Sequence, residues 1–212
     1  MCPANSDIIL VEKEPVGDDW VDLGLPSGLL WATRNVGASS PEDYGEYFAW
    51  GEIQTKEVYN WSTYRYCNGD YDQLTKYCNH SDYGYNGFTD NLTILQPGDD
   101  AATANYGGRT PTEEEWVELL DNTTATWTTQ NGVNGRRFTG PNGNSLFLPA
   151  TGYRRGDTSS YTGGLGYFWS SSLNNYYPDG AWIFYFGSDG QFMFYHANRC
   201  DGHPVRAVRS TR

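Results

Sequence analysis

The residues best suited to chemistry lie in two polar stretches near the C-terminal end of the chain. Residues 173–180 read Leu-Asn-Asn-Tyr-Tyr-Pro-Asp-Gly, and residues 195–203 read Tyr-His-Ala-Asn-Arg-Cys-Asp-Gly-His. Loops rich in Tyr, Asn, Asp and Gly and carried by a sheet are typical of a binding surface, because tyrosine gives a large contact area at low entropic cost. Ordinary hairpin loops of the same composition are the alternative.

Catalytic arrangements are not apparent in the sequence. His80, His196 and His203 lack metal-ligand spacing to one another and to acidic residues. Residues 170–172 are three serines without the flanking glycines of a nucleophile elbow. We therefore predict a non-enzymatic protein that needs no cofactor. A structural calcium ion could be held by residues 70–72 or 99–100, since calcium prefers oxygen ligands, but solvated turn residues are the favoured interpretation of these aspartates.

Two strand-like segments, residues 181–186 and 192–195, must position the polar stretches. Side chains alternate between the two faces of a strand. One predicted core face consists of Trp182, Phe184, Phe186, Phe192 and Phe194. The opposite face is either covered by protein or exposed to a partner, and the pattern leaves both open; its residues are Ala181, Ile183, Tyr185, Met193 and Tyr195.

The rest of the chain predicts an α+β fold that is rich in loops. A helix is expected over 40–51, with Ser40 as its cap and Gly51 at its end, and a second helix begins with the capping box of Thr112 and Glu115. After residue 126, short strands separated by Gly and Asn turns, among them Asn131-Gly132 and Asn134-Gly135, predict antiparallel sheet. We expect two helices packed on antiparallel sheets in one domain over 18–212, preceded by a polar N-terminal lead-in over 1–17.

Composition excludes several classes of function. Lys plus Arg number 14 and Asp plus Glu number 26, so the net charge is 14 − 26 = −12. A strongly acidic chain disfavours nucleic acid as a partner, since cationic side chains dominate phosphate binding. The sequence contains no run of about 18 apolar residues, so it predicts no membrane insertion. No signal peptide is visible, and Cys2 would bear a lipid only if the chain followed a removed signal; an ordinary start is the alternative.

Four segments resemble the lectin-like paralogous domains of gut bacteria, over roughly residues 18–209. They are Trp20–Ala32, Asp43–Glu52, Arg109–Trp116 and Tyr167–Ser172. That family is related to the formylglycine-generating enzymes, and the resemblance implies a C-type lectin fold. The catalytic cysteine pair of those oxidases has one counterpart here, Cys200, while the partner position is Ala207. The resemblance therefore implies no oxidase activity for this chain.

Residues 173–203 resemble the variable region of proteins diversified by retroelements, which rewrite adenines in selected codons. The resemblance implies that this region, carried by an invariable scaffold, binds a ligand. The candidate ligand-binding residues are Asn174, Asn175, Tyr176, Tyr177, Asp179, Ile183, Tyr185, Met193, Tyr195, His196, Ala197, Cys200 and Asp201.

The sequence and the resemblance together predict a receptor- or adhesin-type protein. Its partner would be a surface protein or glycan of another cell, and its location a bacterial cell surface or a phage virion tail. Two alternatives are kept: a fixed-sequence glycan-binding or adhesin module of the same fold, and, more remotely, an oxidase of the formylglycine-generating type.

Overall fold

A computed structural model describes residues 19–190 and 192–211, with the backbone but not the side chains of residues 192–195. The lead-in over 1–17, Cys2 and the side chains of Phe192, Met193, Phe194 and Tyr195 therefore lie outside the described part. The strands are β1 (Trp20–Asp22), β2 (Leu30–Ala32), β3 (Tyr47–Phe48), β4 (Thr124–Gln130), β5 (Val133–Thr139), β6 (Ser145–Pro149), β7 (Tyr153–Arg155), β8 (Thr158–Ser160), β9 (Gly166–Leu173), β10 (Gly180–Phe186), β11 (Phe192–Asn198), β12 (His203–Pro204) and β13 (Val208–Arg209), and the helices are α1 (Ala101–Asn105) and α2 (Glu113–Asp121).

The described strands form five small antiparallel sheets. Three of them have three strands, in the orders β1-β2-β13, β4-β5-β6 and β9-β10-β11, and two are pairs, β3 with β12 and β7 with β8. The sheet β1-β2-β13 joins the two ends of the described chain. The hairpin between β4 and β5 turns at Asn131 and Gly132, both at positive φ, which suits the tight turn that Asn-Gly favours.

The sheet β9-β10-β11 separates two hydrophobic cores. Ile183 of β10 packs into one core with Trp50 and Trp169. The next residue, Phe184, packs into the other core with Trp116, whose ring is stacked 4.7 Å away. β10 is thus covered on both faces at these two positions, whereas Tyr185 is only partly buried and the side chains of Met193 and Tyr195 are not described. Trp182, predicted to be core, is only partly buried.

The prediction of an α+β fold is wrong. The structure is mostly β: 34% of the described residues lie in strands, which form five small antiparallel sheets, and 14% are helical. A C-type lectin fold also has few helices. The helix predicted over 40–51 does not form. Gly45 adopts φ 70° there, and a Cβ at that position would lie 2.5 Å from the carbonyl oxygen of Val36. Tyr47 and Phe48 pair instead with His203 and Pro204.

The helix predicted at Thr112 does form and is α2. The Thr112 hydroxyl accepts from the Glu115 amide at 3.3 Å, and the Glu115 carboxylate accepts from the Thr112 amide at 2.9 Å. Arg109 donates to the same carboxylate at 2.7 Å. Trp116 and Leu119 are buried on the inner side of α2. A local capping motif and an apolar stripe are therefore sufficient to define this element.

Residues 52–108 are irregular, with four short 3₁₀ turns and α1 as their elements. This segment supports the polar stretch that follows β9. The Asn79 side chain donates to the carbonyl of Asn175 at 2.9 Å. The buried Arg199 guanidinium donates to the carbonyls of Pro178 at 2.9 Å and Lys76 at 2.9 Å. The irregular segment and the loop over 174–179 are thus fixed to one another.

Candidate functional site

A cavity of about 360 Å³ opens between the strands that carry the predicted site residues. We call it the tyrosine pocket. It is lined by Tyr153, Arg155, Tyr167, Ile183, Tyr185, His196, Ala197, Asn198, Asp201 and His203. A concave site of this size suits a small molecule or one unit of a larger ligand.

Three tyrosines form the aromatic wall of the pocket. The Tyr167 ring lies 5.2 Å from that of Tyr153 and 5.0 Å from that of Tyr185, centroid to centroid. Tyr167 of β9 stands directly opposite Tyr185 of β10. Burial raises the pKa of Tyr167, so this ring carries no charge at neutral pH.

Arg155 and Asp201 supply the charges of the pocket. Arg155 Nε donates to Asp201 Oδ1 at 3.1 Å, and its Nη2 donates to Oδ2 at 2.7 Å. The side chain of Asp201 is 2% exposed and that of Arg155 is 58% exposed. Burial raises the pKa of Asp201, while the hydrogen bond and charge of Arg155 oppose that shift. The two-point geometry holds the guanidinium in one plane at the mouth of the pocket.

His203 is a buried residue in the wall of the pocket. It is 1% exposed, and its ring meets that of Trp169 edge-on at 4.4 Å. Neither of its ring nitrogens has a hydrogen-bond partner among the described residues. Burial lowers the pKa of His203 to about 3, so the imidazole is neutral at pH 7.

Five of the thirteen predicted site residues meet in this pocket. They are Ile183, Tyr185, His196, Ala197 and Asp201. Ile183 contributes from the buried side, since it is 1% exposed. Ile183 and Tyr185 share one face of β10, as side-chain alternation predicts, and Tyr185 is the more exposed of the two.

The loop over 174–179 forms an exposed rim beside the pocket. Tyr176 is 79% exposed and Tyr177 is 53% exposed, and Asn175 is also exposed. The Tyr177 ring stacks on His196 with centroids 5.8 Å apart. This contact connects the rim to a residue that lines the pocket, so pocket and rim form one continuous surface.

The remaining predicted residues are placed differently. Asn174 is buried, and its side-chain oxygen accepts from the amides of Tyr176 at 2.9 Å and Tyr177 at 3.2 Å. Asp179 is partly buried, and burial raises its pKa. Cys200 is buried, and burial raises the pKa of its thiol, which disfavours the reactive thiolate. The side chains of Met193 and Tyr195 lie outside the described residues.

Sequence reasoning missed half of the pocket lining. Two signals could have found part of it. Tyr153 and Arg155 are two apart on one strand and so share a face, and Tyr167 pairs with Tyr185 once the hairpin register is known. The contact of Tyr153 and Arg155 with residues of β11 and β12 depends on how the separate sheets pack together. The missed residues are Tyr153, Arg155, Tyr167, Asn198 and His203.

The aspartates considered for calcium have protein partners. Asp99 accepts from the hydroxyls of Tyr66 at 2.6 Å and Tyr77 at 2.5 Å and from Lys76 Nζ at 2.5 Å. Asp100 accepts from the Thr110 hydroxyl at 2.5 Å. Within the described part of the chain, no group of three or more His, Cys, Asp or Glu side chains is arranged to hold a metal ion.

The cysteines that the structure describes, Cys67, Cys78 and Cys200, are free thiols. Across residues 19–190 and 192–211, no helix has the length and hydropathy of a membrane span. Comparisons with protein-family models, curated proteins and solved structures gave no match to the chain.

Proposed function

We propose that this chain is a non-enzymatic ligand-binding protein that uses the tyrosine pocket and the rim over 174–179 as its contact surface. The carrying observation is that Tyr185, His196 and Asp201, chosen from sequence as binding residues, line one pocket with Ile183 and Ala197. The exposed tyrosines 176 and 177 continue this surface. Tyrosine is a frequent anchor residue at the centre of binding interfaces.

The proposed partner is a surface protein or glycan of another cell, and the proposed location is a bacterial cell surface or phage virion tail. In this proposal, a retroelement rewrites exposed and pocket-facing positions while the cores stay constant. The division between buried aromatic framework and exposed loop supports it: Trp116, Trp169 and Phe184 are each at most 1% exposed. Substitution at exposed positions changes stability little, generally by less than about 0.5 kcal/mol.

A fixed-sequence adhesin is the second candidate, and the burial of several predicted positions favours it. Asn174, Ile183 and Cys200 are at most 3% exposed. Buried side chains tolerate free variation poorly, because cavities and overpacking both destabilise a core. If variation occurs, we expect it at residues 175–177, 185 and 196–197 rather than at these three positions.

Sequencing the gene and its flanks across many cells of the source population separates the two candidates. Substitutions concentrated in codons for 174–201, at adenines of a nearby repeat, support diversification. A stretch as constant as the rest of the chain, with no repeat, contradicts diversification and leaves the fixed adhesin.

Binding itself is tested with labelled full-length chain applied to a panel of bacterial cells. Tyr176, Tyr177, Tyr185 and Tyr195 are changed together to Ser, and the matched control is Tyr85→Ser, which alters a tyrosine that is 41% exposed on the irregular segment. We expect the fourfold variant to lose cell binding and the control to retain it. Cell binding that survives the fourfold change overturns the proposed surface.

A further inference from the structure

His203 combines a buried position in the pocket wall with an imidazole that makes no hydrogen bond to the described residues. It is 1% exposed, it lines the pocket, and both of its ring nitrogens lack partners among the described residues. A buried polar atom without a partner destabilises the folded state, so each one calls for a specific explanation. A neutral imidazole offers one donor and one acceptor. A ligand hydroxyl group, which can both donate and accept, complements either ring nitrogen.

The other polar groups of the pocket are balanced in charge and in hydrogen-bonding type. Arg155 and Asp201 neutralise one another through two hydrogen bonds. Arg155 brings donors, Asp201 brings acceptors, and Asn198 brings both. A charged ligand would have to compete with the ion pair between Arg155 and Asp201, whereas a neutral ligand rich in hydroxyl groups can bond to donors and acceptors alike.

The aromatic wall supplies the remaining surface. Tyr153, Tyr167 and Tyr185 lie within 5.2 Å of a neighbouring ring, centroid to centroid. Such a wall suits a ligand that has an apolar face as well as polar edges. The cavity of about 360 Å³ is at the lower end of the usual range for small-molecule sites, about 300–1,000 Å³. One six-membered ring with its substituents fits a space of this size.

We propose that the tyrosine pocket binds one neutral sugar ring, such as the terminal residue of a glycan chain. Its apolar face packs against the tyrosine wall, and its hydroxyl groups reach His203, Asp201 and Arg155. This inference rests on the proposed function, because it assigns the ligand class of the same surface.

The direct test titrates the full chain with the methyl glycosides of glucose, galactose, mannose, fucose and N-acetylglucosamine. Binding is followed by NMR of the imidazole nitrogens, of which the chain has three pairs, at His80, His196 and His203. We expect one or more glycosides to shift the His203 signals and to leave those of exposed His80 unchanged. A ligand of this size gives a Kd of about 1 mM.

Two variants locate the site. Tyr167→Leu removes part of the aromatic wall and is expected to weaken glycoside binding by about tenfold or more, equivalent to about 1.4 kcal/mol. His203→Phe keeps a ring of similar size without nitrogens and is expected to abolish binding. Tyr85→Leu is the control and is expected to bind as the parent does. Each variant is first checked for folding by circular dichroism, and Tyr167→Leu suffices if His203→Phe does not fold.

Several outcomes overturn the inference. No glycoside binds, or binding leaves His203 unshifted, or Tyr167→Leu binds as tightly as the parent. Stronger binding of the anionic sugar N-acetylneuraminic acid, or of N-acetyl-lysine amide, contradicts the neutral-sugar assignment. If no sugar binds but cell binding still depends on the four tyrosines, only the sugar inference fails. If sugars bind and the fourfold tyrosine variant still binds cells, the proposed contact surface fails instead.

Discussion

Two aromatic-lined regions of the molecule differ in whether their buried polar side chain has hydrogen-bond partners. Arg199 lies among Trp50, Tyr64 and Tyr77, with its guanidinium carbon 5.1, 5.2 and 5.8 Å from their ring centroids. It donates to the Tyr64 hydroxyl at 2.9 Å and to three backbone carbonyls at 2.9–3.0 Å. We call this region the Arg199 box. Here the protein itself satisfies a fully buried cation.

The tyrosine pocket has a comparable aromatic lining and an equally buried nitrogen side chain, but the His203 imidazole makes no hydrogen bond to the described residues. The box also joins the irregular segment to the loop over 174–179, since Arg199 donates to the carbonyls of Lys76 and Pro178. A satisfied network holds parts of the fold together, whereas an unsatisfied one is open to a ligand. The two regions should therefore respond differently to substitution.

The largest expected effect is in the box. Arg199→Met removes four hydrogen bonds and leaves buried acceptors without donors, each at a cost of about 1–3 kcal/mol. We expect the free energy of unfolding to fall by more than about 3 kcal/mol, measured by urea denaturation. The control is Arg65→Met, at an exposed arginine 5.5 Å from the Tyr66 centroid. A similar loss in both variants would contradict a special role for the box.

Local signals explain which parts of this fold were predictable from sequence. Thr112 and Glu115 define the start of α2 through contacts three residues apart, and Asn131-Gly132 defines a hairpin. The helix predicted over 40–51 failed because Gly45 adopts a positive φ and Tyr47–Phe48 pairs with a distant strand. Asn134-Gly135, also expected to turn, lies within β5. Tertiary pairing overrode local preference at both places.

The same distinction applies to the candidate site. Tyr185 and His196 lie on β10 and β11, where alternation along a single hairpin indicates which residues share a face. Arg155 and His203 come from two other sheets, and no local pattern brings them to the pocket. The unsatisfied state of His203 is a property of its packing. Sequence reasoning therefore located part of the surface but not the polar group that suggests its ligand.

The second prediction is that His203→Phe does not destabilise the protein at neutral pH. Removing two unsatisfied nitrogens is expected to raise the free energy of unfolding by about 1 kcal/mol at pH 7. In the parent, burial lowers the pKa of His203 to about 3 from an ordinary 6.5. Below about pH 6.5 the unfolded parent binds a proton that the folded parent does not, so the parent loses stability as the pH falls.

The difference between parent and His203→Phe should thus widen by about 1 kcal/mol between about pH 6.5 and about pH 5.5. Urea denaturation at the two pH values measures it. His80→Asn is the control, since the His80 side chain is 54% exposed. A large loss of stability in His203→Phe at pH 7, or a difference independent of pH, would make His203 a structural residue like Arg199.

A smaller effect is expected at Asp99, which holds two tyrosines of the cluster around the box. It accepts from Tyr66, Tyr77 and Lys76. Burial acts to raise the pKa of Asp99, but these three hydrogen bonds bring it below its ordinary 3.8. Asp99→Asn should cost about 1 kcal/mol at pH 7.

That contribution of Asp99 is fully present above about pH 3.8 and is lost as the pH falls through its lower folded pKa. Parent and Asp99→Asn should therefore converge in stability below about pH 3.8, while glycoside binding at pH 7 stays unchanged. Loss of glycoside binding in Asp99→Asn at pH 7 would show that the two regions are coupled rather than separate.

The smallest effect on stability is expected on the rim, where a buried and an exposed residue of one loop can be compared. Tyr176 is 79% exposed, and its amide, which donates to Asn174 Oδ1 at 2.9 Å, is retained when the side chain is changed to that of serine. Tyr176→Ser should therefore change the free energy of unfolding by less than about 0.5 kcal/mol. Asn174→Ala removes the acceptor of two amides and should cost about 1 kcal/mol.

Tyr176→Ser should weaken the binding of labelled chain to cells more than Asn174→Ala does, although it costs less stability. Tyr176→Ser removes an exposed contact side chain and should weaken binding, while Asn174→Ala acts only through the shape of the loop. If the two variants weaken binding in proportion to their loss of stability, the rim is a structural loop. Weaker binding in the fully stable Tyr176→Ser shows instead that this tyrosine contacts the ligand.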